Sequence, residues 1–200
     1  MPTPDKTDSS HLGNWHGQIV KLFNGLDIEV DPRDFVCSNI VSYGVWESDT
    51  VFFFQRWLKP GMTFIDAGAH IGQYSMIASL CVGPEGHVHA FEPHPGLFDV
   101  LERNIKRLSH ANVITNWLAL GRIAESRQLY LHSVDNLGST SLIPDESDRD
   151  SPTVPVKVIP LDEYVTTNAI QRIDLLKIDV EGAELEALEG AQQALEMNQE

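Results

Sequence analysis

Thr63-Phe64-Ile65-Asp66-Ala67-Gly68-Ala69-His70-Ile71-Gly72-Gln73-Tyr74 decides how this chain folds. Phe64 and Ile65 are apolar and follow the stop signal Pro60-Gly61, which suits a short buried strand. Gly68 permits a backbone conformation that a side chain disfavours, and it lets a ligand approach closely. Gly72 lets the next helix pack tightly on the strand. A strand, a glycine turn and a helix in that order leave free backbone N–H groups at the strand's carboxyl end, where α/β sheets bind ligands.

The glycine spacing narrows the ligand. A dinucleotide loop reads G-x-G-x-x-G, whereas this one reads Gly68-x-His70-x-Gly72 with Asp66 just ahead of it. A pyrophosphate wants an open glycine cradle. An acidic residue beside the turn suits a cationic or hydroxyl-bearing ligand better.

Downstream of the loop the pattern repeats. Ile71 to Val82 reads as a helix stopped by Gly83-Pro84. His87 to Phe91 is a second strand, ending in Glu92-Pro93-His94-Pro95, and Pro95 suits a helix start. Leu97, Leu101, Ile105 and Leu108 recur at helical spacing, and Asn112 to Leu120 reads as a third strand closed by Gly121. This β-α-β-α-β order predicts a parallel sheet with right-handed crossovers. Gln128–His132 is a short strand, residues 135–141 a polar loop, and residues 144–152 an acidic, mobile segment. Val154–Ile159 is a strand placed at an edge by Pro155. Ile173–Asp179 returns to the core, and a last helix from Gly182 carries Leu185, Leu188 and Leu195.

Upstream, residues 1–16 read as a mobile tail. Residues 17–60 read as an extension packed on the core of 61–200, with a hairpin around Asn24-Gly25 and a helix from Glu47 to Leu58. Four core strands are too few for a complete doubly wound sheet, so the sequence predicts a C-terminally truncated α/β domain with an otherwise exposed edge.

Composition sets the outer bounds. Across 200 residues the hydrophobic share is 42%, enough for a real core, and the formal net charge is −15. That charge argues against nucleic acid and anionic membranes as partners and favours small neutral or cationic substrates. Cys37 and Cys81 have neither metal spacing nor a disulfide framework, so both read as buried thiols in a reducing compartment. No 18-residue apolar run and no leader-like N-terminus is present, and the expected location is the cytoplasm.

Several side chains carry candidate chemistry. Glu92 stands at the end of the second strand, where a carboxylate accepts both ribose hydroxyls of a nucleoside; a helix-start carboxylate is the alternative. Asn116 is placed to meet an adenine edge and Ala119-Leu120 to pack on its ring. Asp179, Glu181 and Glu184 follow the fourth core strand. Asp179 and Glu181 flank Val180 and, on an extended end, share one face, which raises the proton affinity of one of them. Lys177 reads as a paired or snorkelling lysine. His70 and His94 sit beside the same crevice, structural or catalytic.

Five segments together resemble the FkbM-type methyltransferases, which use S-adenosylmethionine (SAM). They are Phe64–Gly72, Ala90-Phe-Glu-Pro-His-Pro95, Asn116-Trp-Leu-Ala-Leu-Gly121, Leu176-Lys-Ile-Asp-Val-Glu-Gly-Ala-Glu184 and Gly44-Val-Trp-Glu47, within about residues 40–196. The family's loop usually has Asn where His70 stands. The resemblance implies a Rossmann-like class I methyltransferase fold and methyl transfer to a hydroxyl, often on a sugar or natural product. It implies a cofactor site of Glu47, Asp66, Gly68, Ala69, His70, Gly72, Glu92, Pro93, Asn116, Ala119 and Asp179, with Asp179 or Glu181 as base. Mg²⁺ is a possible helper whose ligands are not evident in this sequence. The rivals are an NAD-dependent oxidoreductase and a non-catalytic nucleoside-binding module.

Overall fold

The structure, a computed structural model, describes residues 15–144 and 150–197. The expected tail and the acidic segment fall largely on residues outside that range. Trp15 and His16, at the end of the expected tail, are tied to the second strand of the hairpin and the residue after it. The Trp15 indole donates to Glu29 at 3.0 Å and the His16 amide to Asp31 at 2.7 Å.

The described residues open with an antiparallel hairpin, β1 (Gln18–Lys21) and β2 (Asp27–Val30), then two helices, α1 (Phe35–Tyr43) and α2 (Ser48–Trp57). β3 (Thr63–Ala67), α3 (Gln73–Val82), β4 (His87–Phe91), α4 (Pro95–Ile105) and β5 (Val113–Asn116) form the expected β-α-β-α-β run. β6 (Ala119–Leu120), β7 (Glu125–Tyr130), β8 (Thr153–Ile159) and α5 (Leu161–Thr167) lead to β9 (Leu175–Ile178), α6 (Glu184–Glu189) and α7 (Gln192–Glu196). The main sheet has the order β5-β4-β3-β9, and every pairing in it is parallel.

Burial on both faces follows from strand alternation. Phe64 points to one side, where it packs with Met76 and Ile77 of α3, Phe54 of α2, and Leu22, Ile28 and Ile40 of the N-terminal elements. Its neighbour Ile65 points to the other, joining Phe91, Leu161, Tyr164, Ala187, Ala191 and Ala194. Residues before Pro60 therefore complete the same core as α3. Phe54 meets Phe64 and Tyr74 edge-on, with ring centroids 5.1 and 5.3 Å apart.

Four local expectations change. The third strand splits. The chain leaves β5 at Trp117, whose ring stacks on Phe98 and whose indole donates to the Pro93 carbonyl, and β6 then joins a second sheet of order β6-β8-β7. β8 is central in that order. Pro155 nevertheless lies where β8 is paired on one side only, because β6 reaches just Val158 and Ile159.

The last helix is two short helices broken at Gly190, where an added Cβ would stand 2.0 Å from the Gly121 carbonyl oxygen. Alanines face the core here. Leu185, Leu188 and Leu195 are 69%, 42% and 43% exposed, while Ala187, Ala191 and Ala194 are buried, because the close approach leaves room only for methyl groups. Finally, β9 stops at Ile178, so the residues after it form a turn rather than an extended end.

Two helices, α1 and α5, were not foreseen. α1 carried a legible signal: Asp34 caps it through a bond from the Cys37 amide at 2.9 Å, and Gly44 closes it in the left-handed conformation.

Candidate active site

A cleft of about 250 Å³ opens at the carboxyl ends of β3, β4 and β9. Its floor is the Gly68 turn. Gly68 has φ +78°, and a Cβ there would stand 1.8 Å from the Asp179 carbonyl oxygen, so the close approach that demands glycine is by the chain's own backbone. Gly72, at φ +94°, faces Leu101 of α4, whose Cδ1 would lie 2.6 Å from an added Cβ; it serves packing and does not line the cleft. Between them the Gly68 and Ala69 amides donate to the Phe91 carbonyl at 3.0 and 2.9 Å.

Glu92 is the buried acid of the site. The His70 amide donates to Oε2 and the His94 amide to Oε1, both at 2.8 Å. Burial outweighs these two bonds and pushes its carboxyl up to about 7. Each oxygen keeps a free lone pair beside the cleft. The His94 side chain acts structurally, since its Nδ1 accepts from the Gly96 and Leu97 amides and so caps α4.

Lys177 ties the floor together. Its Nζ donates to the Gly68 and Ala67 carbonyls at 2.7 and 3.3 Å and lies 3.3 Å from Asp66 Oδ1 and 3.7 Å from Asp179 Oδ2. It also stands 5.4 Å from the centre of the Tyr74 ring. Asp66 is fully buried and accepts from the Ser75 hydroxyl at 2.6 Å, so it lies beneath the loop and does not line the cleft.

The rim comes from the N-terminal elements. The Gln73 amide pairs with both backbone groups of Trp46, at 2.7 and 3.0 Å. The Tyr74 hydroxyl donates to Glu47 at 2.6 Å, and burial together with this carboxylate raises its pKa. Glu47 itself holds a left-handed conformation, φ +47°.

The far wall is a segment, Leu137–Leu142, laid across the cleft from α1 to β9. Asp34 accepts from the Leu137 amide at 3.2 Å, and the Ser141 hydroxyl donates to the Glu181 carbonyl at 2.5 Å. Glu181 has φ +53° and lines the cleft with Asp179, so the turn, not strand alternation, brings the two carboxylates together. Burial, then Asp179 and Glu184, raise the Glu181 carboxyl above its ordinary value. Glu184 accepts from the Val180 and Gly182 amides; these bonds overcome its burial, lower its pKa and make it a support of the turn.

Of the residues singled out from sequence, Glu47, Gly68, Ala69, His70, Glu92, Pro93, Ala119, Asp179 and Glu181 line the cleft. Asp66, Gly72 and Asn116 do not. The Asn116 amide donates instead to the Ala90 and Ile114 carbonyls. Gln73, Tyr74 and Thr140 were not anticipated. Tyr74 follows the motif on the helix and was legible; Thr140 carries no local signal. Four carboxylates and one ammonium line the cleft, which suits a cation. Among the described residues no group of three or more His, Cys, Asp or Glu is placed to hold a metal, and no helix is long and apolar enough to cross a membrane.

A parallel α/β sheet with an acid-rimmed cleft at its carboxyl edge, floored by a glycine turn, is the frame of a nucleoside-binding α/β protein. Within that class the chain belongs to the methyltransferase FkbM domain family, whose profile matches residues 66–199. Its fold is accordingly the Rossmann-like class I methyltransferase fold. It is 32% identical over 160 residues to methyltransferase sdnD of Sordaria araneosa, covering 66% of this chain and 61% of that one. It is 32% identical over 132 residues to the hexuronic acid methyltransferase AglP of Haloferax volcanii, covering 66% and 50%. It is 28% identical over 166 residues to the 31-O-demethyl-FK506 methyltransferase FkbM of Streptomyces tacrolimicus, covering 68% and 62%. The chain thus spans half to three fifths of these relatives' lengths.

Proposed function

We propose that this protein transfers a methyl group from SAM to a hydroxyl oxygen on a sugar or another small natural product. The observation that carries the reading is Glu92: a buried carboxylate at the end of β4, beside the Gly68 turn, with lone pairs left for two ribose hydroxyls. The acidic rim fits a sulfonium, and Pro93, Leu118, Ala119 and Leu120 give an apolar seat for adenine. A dinucleotide's pyrophosphate would face four carboxylates against one ammonium, which disfavours the oxidoreductase alternative.

The cofactor supplies an electrophilic methyl group on a sulfonium. The chain's own residues hold and orient it: Glu92 the ribose, Asp179 and Glu47 the positive end. Glu181, with its raised pKa, accepts the acceptor hydroxyl's proton as the oxygen attacks in line. The names of two relatives specify a hexuronic acid and 31-O-demethyl-FK506 as what they methylate, the first a sugar acid and the second an O-demethyl compound. The net charge of −15 counts against a nucleic-acid partner, and free Cys37 and Cys81 accord with a cytoplasmic setting.

Isothermal titration with S-adenosylhomocysteine tests the proposal. Binding in the micromolar range, with no heat from NADH, is expected; the reverse result would end it. Binding without methyl transfer to any acceptor in a broad hydroxyl panel would leave the non-catalytic module.

A further inference from the structure

Two half-buried side chains on the cleft wall carry enclosed polar atoms that make no hydrogen bond. Both ring nitrogens of His70 are without a hydrogen bond, and so is Oγ1 of Thr140. They come from different elements, the β3–α3 loop and the Leu137–Leu142 segment. An enclosed polar group without a hydrogen bond is costly to folding, so two of them on one cleft mark a place for a ligand's polar atoms.

The ligand's chemistry follows from what the pair offers. Burial pulls His70 below its ordinary pKa, leaving a neutral ring with one donor and one acceptor. The threonine hydroxyl likewise donates and accepts. Groups that do both are best matched by hydroxyls. A carboxylate only accepts, and here it would meet other carboxylates: Asp34 Oδ1 lies 4.0 Å from His70 Nε2, and Asp179 and Glu181 line the same wall. Lys177, the ammonium of the cleft, is already held by Asp66, Asp179 and two carbonyls. Val36 and Leu137 add an apolar surface for a ring face.

We propose that the His70 imidazole and the Thr140 hydroxyl form an acceptor subsite that hydrogen-bonds hydroxyls of a neutral polyol, a glycoside ring or cyclitol, and rejects the corresponding acid. His70 then acts in two separate ways. Its backbone amide holds Glu92 on the cofactor side, and its ring reads the acceptor. The subsite rests on the methyltransferase reading, so binding of S-adenosylhomocysteine is measured first and reports on that reading alone.

The test uses ¹⁵N-histidine-labelled protein saturated with S-adenosylhomocysteine. It is titrated with methyl glucoside, methyl galactoside, methyl rhamnoside and inositol, and with the matching methyl glucuronide and galacturonide. The His70 ring resonance is assigned by its loss in His70→Asn, since asparagine tolerates the left-handed backbone at φ +53°. At least one neutral polyol should move that resonance and neither uronide should. Thr140→Val should weaken the polyol five-fold or more, keep S-adenosylhomocysteine affinity within two-fold and leave the melting temperature unlowered, because no bond is lost. A uronide that binds as well as its neutral partner would overturn the subsite. So would silence of His70 toward every polyol while S-adenosylhomocysteine binds, or unchanged polyol affinity in Thr140→Val.

Discussion

The two walls of the cleft are built in opposite ways. On the β3–β4 side, backbone groups do the holding and find their partners within a short span of chain, while the His70 ring stays without a hydrogen bond. Gly68, Ala69 and His70 donate to Phe91 and Glu92, 22–23 residues away in sequence and adjacent in the sheet. On the α1–β9 side, the wall is assembled over long distances. Asp34 reaches Leu137 across 103 residues and Ser141 reaches Glu181 across 40, and the Thr140 hydroxyl stays without a hydrogen bond. The first wall is preorganised and unspecific, as a site for a shared cofactor requires. The second carries the unpaired Thr140 hydroxyl on the same cleft as the unpaired His70 ring, which is what the proposed acceptor subsite requires.

Breaking the first wall should have the largest effect. In Gly68→Ala the new methyl group would overlap the Asp179 carbonyl and also sit at a positive φ. A loss of more than about 3 kcal/mol is expected, enough to unfold a marginal domain. Gly182, on the second wall, also has positive φ, +96°, but open space around it. Gly182→Ala should cost only about 1–2 kcal/mol. Thermal melts of the two variants compare them directly; equal losses would mean that the close contact at Gly68 relaxes freely.

This asymmetry also explains what could be read from sequence. The parallel sheet, the helix limits around it and the placing of Gly68 and Glu92 were legible, because each depends on residues a few positions apart: a strand, a glycine, a carboxylate at the next strand end. The division of labour at Asp66 was not. Its acid looks like a ligand until Lys177, 111 residues on, is seen to claim it. Asn116 is a similar case, since its amide nitrogen donates to the Ala90 and Ile114 carbonyls. Thr140 and the segment that carries it lie in a polar stretch with no periodicity, and only the tertiary fold brings it over the cleft.

On the second wall the chemistry is more sensitive than the fold. Glu181→Gln removes the raised-pKa carboxylate and should lower methyl transfer by about 10²-fold or more, with cofactor affinity and melting temperature nearly unchanged. Asp179→Asn, the partner of Lys177, should cost less turnover and a few-fold in cofactor affinity. If Asp179→Asn is the slower enzyme, the proton goes to Asp179 instead.

Glu92 sharpens the comparison through pH. Glu92→Ala should weaken S-adenosylhomocysteine about ten-fold or more, since each charge-assisted bond to a ribose hydroxyl is worth about 1.5–3 kcal/mol. Its carboxyl sits at about 7 in the free protein, above the ordinary 4.5. The native form therefore holds a proton that the unfolded chain has released, so this group's contribution to stability falls as pH rises from 4.5 to 7 and is flat above. Ribose donors favour the ionised form. Binding at about pH 6.5–7 should release a fraction of a proton, vanishing by about pH 8.5, as read by titration calorimetry in buffers of different ionisation heat. Proton uptake, or no pH dependence, would place the hydroxyls elsewhere.

The smallest effect is expected at the rim that joins the two walls, where opposing terms nearly cancel. Glu47 holds a left-handed backbone at φ +47°, a strain of about 1–2 kcal/mol that glycine would relieve. The same side chain accepts from Tyr74 at 2.6 Å and Thr50 at 3.2 Å and lies exposed to solvent, so its bonds contribute about 1 kcal/mol. Glycine adds back some entropy cost of its own. Glu47→Gly should therefore melt within about 1 kcal/mol of the parent, whereas Tyr74→Phe, which loses the bond and relieves no strain, should be the less stable of the two. A non-glycine residue kept at a strained position without net benefit to folding points to a role in the cleft. If Glu47 helps hold the cofactor's positive end, Glu47→Gly will lose S-adenosylmethionine affinity while keeping its melting point. If both stay unchanged, the Tyr74 bond is all that the strain maintains.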